Sequence, residues 1–252
     1  MQKHTLIFSA LAMAGLLAAC GGSDNPAAPT PTPPPAAVTP PPPVPVASTI
    51  AIDFTKGIDG WTAGVADYHD GSEPSEAASG WSKLPPPVGG MGYYIISHNN
   101  SDDVFTFTKR QFGGFVAGAK YKLTFEMSYA TSAATGCFGV GGARGDSIYM
   151  VGAANADEPK VVKQADGRYR LNFDHGDQAN SGPQGKVLGT LGIDGLDCMG
   201  NDFATATRKS DEAVTVQADK EGKLWIVLGT DSAFEGTNAL YLLGAKVDVK
   251  PL

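Results

Sequence analysis

The chain is poor in the residues that carry covalent and redox chemistry. Its 252 residues include three cysteines and four histidines. No CxxC spacing is present, so the cysteines give no support to a metal site. HExxH and every tight zinc spacing are absent as well. No Gly-x-Ser-x-Gly elbow and no phosphate-binding loop appears. Basic residues are scarce: 19 Lys and Arg stand against 26 Asp and Glu, a net charge of −7. Nucleic acid calls for clustered Lys and Arg, and an anionic lipid surface attracts the same residues, so the balance argues against both. No apolar run reaches the roughly 20 residues of a bilayer-spanning helix. From residue 49 onward no stretch keeps a three-four apolar period, so amphipathic helices find no support.

Proline and glycine, by contrast, are abundant, and they are unevenly placed. Asn25 to Pro45 holds eleven prolines. Each fixes its own φ, removes a backbone donor and biases its predecessor to extended backbone. Such a segment cannot pack a core and is expected to be a disordered, extended linker. At about 3.1 Å per residue, the 28 residues Gly21 to Ser48 reach at most roughly 85 Å. Ahead of them, Thr5 to Leu17 (TLIFSALAMAGLL) follows a short basic start and ends in small residues, the pattern of a secretory signal. Leu17-Ala18-Ala19-Cys20-Gly21 resembles the lipobox of bacterial lipoproteins. The resemblance implies cleavage before Cys20 and acylation of its sulfur and new amine, a palmitate-type anchor strong enough to hold a membrane. The organisation expected is a signal peptide over 1–19, a lipidated Cys20 and linker over 20–48, and one domain over 49–252. Cell-envelope localisation follows, with the outer membrane favoured because Gly follows Cys20. Without Lys3 the chain keeps 18 basic and 26 acidic side chains, a net of −8.

In an oxidising compartment Cys137 and Cys198 form an even pair, and a disulfide between them is expected. The domain reads as all β. In Lys120 to Tyr129 (KYKLTFEMSY), Tyr121, Leu123, Phe125, Met127 and Tyr129 fall on one face, with polar residues on the other. Arg168 to Phe173 and Ala245 to Val249 alternate in the same way. Lys223 to Gly229, Tyr93 to Ile96 and Val104 to Thr108 read as strands buried on both faces. Thr49 to Phe54 opens the domain, and Asp146 to Val151 and Ala213 to Gln217 are weaker strands. Many short strands with Gly-rich turns point to a sandwich or barrel.

Val116-Ala117-Gly118-Ala119-Lys120-Tyr121-Lys122-Leu123-Thr124-Phe125 resembles a segment of jelly-roll carbohydrate-binding and galactose-binding-like domains. In those a Gly turn precedes Tyr-x-Leu-x-Phe. Phe54…Gly57…Gly60-Trp61 is similar to their first strand and Gly-Trp turn, and Leu240 to Val249 to their last strand. The resemblance implies a single jelly-roll-type antiparallel β-sandwich, a fold that hosts many functions. Those families often carry paired acidic residues near a structural calcium on the last strand. Leu243-Gly244 stands there instead, so that calcium is not carried over.

Gly60 to Pro87 is long, polar and without strand alternation, which marks a functional connection. It holds Trp61, Tyr68, His69, Asp70 and Trp81. An aromatic face beside carboxylates is how a sugar ring is held, so Trp81, Tyr68, His69 and Asp70 are the ligand-binding candidates. Trp61 and Trp225 read as core. Asp231 and Glu235 are candidate oxygen ligands for a structural calcium, with turn chemistry as the competing role. Asp102-Asp103 raises the same question, and His69, His98 and His175 each stand beside carboxylates or a polar run. Asp174 and Asp177 could serve as acid and base of a hydrolase, but their separation is not legible. No catalytic residue is assigned. Three readings stay open: a lipid-anchored envelope protein whose sandwich binds a glycan, an interaction module for an envelope protein, and a hydrolase.

Overall fold

The computed structural model describes residues 41–252. The signal stretch, Cys20 and most of the proline-rich segment lie outside the described residues. Every regular element among those described is a strand. In chain order they are β1 (Ser48–Asp53), β2 (Thr62–Ala66), β3 (Tyr68–His69), β4 (Ser75–Lys83), β5 (Met91–His98), β6 (Val104–Gly113), β7 (Lys120–Thr131), β8 (Ile148–Asn155), β9 (Val161–Lys163), β10 (Arg168–Leu171), β11 (Gly176–Asp177), β12 (Asn180–Ser181), β13 (Gly185–Thr190), β14 (Ala204–Lys209), β15 (Val214–Gln217), β16 (Lys223–Ser232) and β17 (Thr237–Pro251). One sheet runs β14-β7-β17-β5-β4, with β1 also on β17 and β15 also on β7. The other runs β13-β8-β16-β6-β2. All pairings within these two sheets are antiparallel. The architecture is an antiparallel β-sandwich of jelly-roll type.

The core follows from the alternation. Tyr121, Leu123, Phe125, Met127 and Tyr129 of β7 are each at most 2% exposed. They share one cluster with Ile148 and Met150 of β8 and Leu224, Ile226 and Leu228 of β16. Burying a side chain of this size contributes about 1.5–3 kcal/mol. The two sheets pack tightly at Gly152 of β8, where a Cβ would lie 2.5 Å from Cγ of Phe125. Tyr129 donates from its hydroxyl to the carbonyl of Leu191 at 2.8 Å. Burial pushes its phenol up to about 12, with Arg208 opposing. The neutral phenol therefore stabilises the fold fully below about pH 10, and that contribution is lost as pH rises toward 12. A two-unit shift amounts to about 3 kcal/mol. Alkaline unfolding followed by near-UV circular dichroism is expected to show this loss, and Tyr129→Phe should flatten it.

The outer face of the five-stranded sheet carries a second core. Phe105, Phe107, Val151, Ala153, Val227 and Ala66 point out from it and meet Leu171 and Phe173 from the chain that crosses above. β6 and the centre of β16 are thus buried on both faces, as their continuous apolar runs imply. The crossing chain includes the small sheet β3-β10-β9. Trp225 departs from its reading as core. It alternates with Leu224 and Ile226, so it faces outward, half-buried, with Lys109 Nζ 5.4 Å from its ring centre. Trp61 is 2% exposed and packs edge-on to Phe54 at 5.4 Å.

Residues 60–87 are not the structureless connection that their composition suggests: they contain β2, β3 and β4. Their strands are built from Ala, Gly and Ser, which carry no polar-apolar alternation to read, and β2 and β4 are edge strands with one neighbour each. Gly244, where acidic residues might have stood, lies at a register shift in β17, and a Cβ there would come 2.6 Å from the carbonyl oxygen of Ile52. Cys137 and Cys198 are disulfide-bonded, with Cα atoms 5.7 Å apart.

Candidate functional site

The outer face of the seven-stranded sheet holds a row of aromatic side chains. Strand pairing sets Gly80 of β4, Tyr94 of β5, Tyr241 of β17 and Ala130 of β7 side by side. Tyr94 and Tyr241 alternate with the buried Tyr93, Ile95, Leu240 and Leu242, so they turn away from the core. Their ring centres are 4.8 Å apart at a 42° tilt. Phe203, which precedes β14, meets Tyr241 edge-on at 6.0 Å. Nothing lies within 4 Å of a Cβ built on Gly80, so the row is open at that end.

Arg144 comes to this row from the loop between β7 and β8. A Cβ on Gly200 would sit 3.1 Å from one of its terminal nitrogens, and its Nε is buried without a hydrogen-bond partner. Burial lowers the pKa of the guanidinium, and the Tyr94 phenol opposes that shift. The Tyr94 phenol is raised by burial first, then by Tyr241, with Arg144 opposing and Glu76 adding a small push. The row therefore combines two phenol hydroxyls, a phenyl edge and a guanidinium with an unused donor. Flat apolar faces with polar rims fit a ring that has apolar C–H faces and equatorial hydroxyls.

The candidates named from the sequence fall in other places. Trp81 sits in the row of Tyr93, so it leans over the sandwich edge, 45% exposed, and donates from Nε1 to the carbonyl of Phe54 at 2.9 Å. Tyr68 stacks on Tyr169 at 4.8 Å with the rings 10° from parallel. Asp70 joins the same group: it accepts from Lys163 Nζ at 2.6 Å and from the Tyr169 hydroxyl at 3.0 Å. Those bonds hold its carboxyl below the ordinary carboxylate range. His69 is tied to Ser72, Nδ1 to Oγ at 3.0 Å. Tyr68, His69 and Asp70 thus form one unit with β9 and β10, and Trp81 lies on a different sheet. Their polar atoms are largely engaged within the protein.

Asp231 and Glu235 are in different surroundings. Glu235 is exposed in the turn before β17, with its N–H bonded to the carbonyl of Val140 at 2.9 Å. Asp231 is 1% exposed and lies with Asp67 and His175, the ligand atoms of all three within 4.8 Å of one another. Burial pushes Asp231 up to about 7, with Asp67 and Asp177 adding to it and His175 and the Gln178 N–H opposing. Asp103 nearby is pushed up to about 8 by burial, then by Asp231, Asp67 and Asp177, against Arg170. For His175 burial pulls the pKa down, but the hydrogen bond and charge of Asp67 outweigh it and the net shift is upward. Asp67 and His175 also line an open pocket of about 320 Å³ whose walls are partly polar, with Arg170 and Asp174, and partly apolar, with Leu171 and Phe173.

Sequence reasoning gave no binding role to Tyr94, Tyr241, Phe203 or Asp67, and it met Arg144 only in the chance tripeptide Arg144-Gly145-Asp146. Tyr94 lies in Tyr93 to Ile96, a run that reads as buried on both faces, and the structure corrects this: Tyr94 and Ile96 are only half-buried because the outer face of this sheet is not covered there. Nothing local linked Arg144 or Asp67 to its partners, which are distant in the chain.

No protein-family model and no curated protein sequence matches the chain. Solved structures resemble it at low identity. A structure of carbohydrate-binding modules from the β-sandwich superfamily is 12% identical, covering 77% of this chain and 57% of that one, with a TM-score of 0.34. The chain thus spans little more than half the length of that relative. TmCBM27, a carbohydrate-binding module that recognises mannan, is 10% identical over 80% of this chain and 98% of its own, with a TM-score of 0.37. The K1 cleaved adhesin domain of Lys-gingipain from Porphyromonas gingivalis W83 is 12% identical over 81% and 98%, with a TM-score of 0.34. At these identities and scores the likeness assigns no residue a role.

Proposed function

We propose that the sandwich is a glycan-binding module and that the aromatic row on the outer face of the seven-stranded sheet is its binding surface. The observation that carries this reading is the juxtaposition of Tyr94 and Tyr241, 4.8 Å apart, with the guanidinium of Arg144 close enough to act on the Tyr94 phenol. Sugar rings stack on the phenols, and the guanidinium donates to their hydroxyls. The module is held to the cell envelope by lipid on Cys20, with the proline-rich stretch as its spacer and the outer membrane as its favoured site. The signal stretch and Cys20 motif support that placement. Mass spectrometry of the mature chain tests it: a diacylated or triacylated N-terminal Cys20 is expected, and a free thiol there would overturn it.

The binding reading is tested on a glycan array followed by calorimetry. Tyr241→Ala and Arg144→Ala are each expected to weaken the selected glycan about tenfold, roughly 1.4 kcal/mol. Tyr68→Ala and Trp81→Ala are expected to leave affinity unchanged. No binding to any glycan overturns the reading, and a loss confined to Tyr68→Ala or Trp81→Ala moves the surface to those residues.

A second reading rests on the disulfide-linked loops. Phe138 and Met199, the neighbours of Cys137 and Cys198, are fully exposed and 82% exposed, and Val140 is 65% exposed. An envelope protein docking there would use these loops as an apolar contact. Phe138→Ser should then abolish its co-purification and leave glycan affinity unchanged.

A further inference from the structure

Asp67, His175 and Asp231 come from three distant parts of the chain: the residue after β2, the segment after β10, and the end of β16. They are 7%, 4% and 1% exposed. His175 Nε2 and Asp67 Oδ2 are 2.9 Å apart. The imidazole stacks on Phe105 at 4.0 Å, with Phe173 edge-on at 6.2 Å, so it cannot swing away. Asp67 holds a left-handed backbone, φ 61°, and its N–H donates to the carbonyl of Tyr169. Gln178, also left-handed at φ 51°, donates its N–H to Asp231 Oδ2 at 2.8 Å. One carboxylate oxygen of Asp231 is thereby satisfied. The other, Oδ1, is buried without a partner, and so is Nδ1 of His175. A buried polar atom left unpaired costs about 1–3 kcal/mol, and more if charged.

Carboxylates crowd the group, and Arg170 is the nearby guanidinium that acts on Asp103. Asp103 is a third carboxylate beside the pair. Among the described residues, the ion pairs in the group are His175 with Asp67, and Arg168 with Asp103 at a long 4.0 Å. No lysine pairs with Asp67, Asp103 or Asp231 among those residues. Several carboxylates packed together in a low-dielectric site repel unless a cation joins them.

The geometry points to a divalent metal site formed by Asp67, His175 and Asp231, of the Zn²⁺ class rather than Ca²⁺. The donors are one imidazole nitrogen and carboxylate oxygens, without sulfur. That set suits borderline ions such as Zn²⁺, whereas Ca²⁺ takes oxygen ligands throughout. Bonds of about 2.0–2.2 Å to a tetrahedral ion set ligand atoms about 3.3–3.6 Å apart. The three atoms already lie within 4.8 Å of one another, so the longest separation shortens by about an ångström, while a 2.9 Å contact such as His175 Nε2 to Asp67 Oδ2 has to lengthen slightly. Three protein ligands leave a fourth position, and Asp67 and His175 line the open pocket beside it. The ion would tie the crossing chain that carries Phe173 and His175 to the five-stranded sheet beneath. This inference does not depend on the glycan reading.

The test uses the full chain in detergent, stripped with EDTA and dialysed. Zn²⁺, Mn²⁺ and Ca²⁺ are added separately, bound metal is counted by mass spectrometry, and thermal unfolding is followed. One Zn²⁺ per chain is expected, with a Tm that climbs with Zn²⁺ concentration by mass action. His175→Gln and Asp231→Asn are each expected to lose at least tenfold in Zn²⁺ affinity and most of the Tm shift. The wild-type chain loaded with Co²⁺ is expected to show the intense visible bands of a tetrahedral site, a readout that needs no variant. Absence of Zn²⁺ binding overturns the inference. So does Zn²⁺ binding that both variants retain, a response to Ca²⁺ alone, or a Co²⁺ spectrum like that of the hydrated ion.

Discussion

Phe125→Ala is expected to lower the unfolding free energy by about 3–5 kcal/mol, the range for deleting a buried ring whose cavity cannot collapse. Phe125 is 2% exposed at the middle of β7, and β7 is paired with β17, β14 and β15. Strands held on both sides cannot move in to fill the space. Opposite the ring is Gly152, where a Cβ would lie 2.5 Å from Cγ and 2.9 Å from Cβ of Phe125. Its φ is not in the left-handed region, so space, not backbone conformation, calls for glycine. Gly152→Ala alone should therefore destabilise by about 1–3 kcal/mol through overpacking. With Phe125→Ala already present the ring contacts are gone and only the Cβ of residue 125, 2.9 Å away, still crowds the new methyl, so the same change should cost clearly less than it does alone. Urea unfolding of the two single variants and the double variant gives the coupling directly, expected to exceed about 1 kcal/mol in favour of the double variant. Additive losses would mean that ring and glycine are not in contact.

The paired change Cys137→Ser with Cys198→Ser is expected to remove about 4 kcal/mol, the chain-entropy figure for releasing a loop of this length. The bridge spans 61 residues of sequence. It also joins the two loops that complete the aromatic row: Arg144 follows Cys137, and Phe203 follows Cys198. Some contacts survive its loss. Thr135 Oγ1 donates to Asp194 at 2.6 Å, and the Arg208 guanidinium donates to the carbonyls of Thr190 and Gly192. The strands beneath should hold, and the two loops should separate. Denaturant unfolding should show a lower midpoint, and glycan affinity should fall together with it. An unchanged midpoint would mean that these other contacts suffice, and weakened glycan binding at unchanged stability would place the bridge's role in positioning Arg144.

The strand framework was legible because alternation is a local signal. KYKLTFEMSY states its buried face residue by residue, and β5, β6, β16 and β17 are almost as plain. β2 and β4 were not legible, since TAGVA and SEAASGWSK use small residues at their edge positions and offer no period to count. Tyr68 and Asp70 were singled out together, and they do meet, through Tyr169 and Lys163. Trp81 stood out as an aromatic in a polar stretch, but its indole N–H is spent on Phe54. His175, Asp103 and Asp231 were each noticed separately as polar residues in suspicious company. Nothing local linked any of them to Asp67.

By itself the sequence determined the chemical character of each segment. Alternation set an all-β sandwich with its inner face, and two cysteines after residue 49 left one pairing. Tertiary structure alone decided which side chains share a site. Tyr94 and Tyr241 are 147 positions apart, and register in one antiparallel pair sets them side by side. Asp67, His175 and Asp231 converge because the chain after β10 folds back over the outer face of the five-stranded sheet. Burial patterns are written at intervals of two residues, whereas such meetings depend on how distant strands pair.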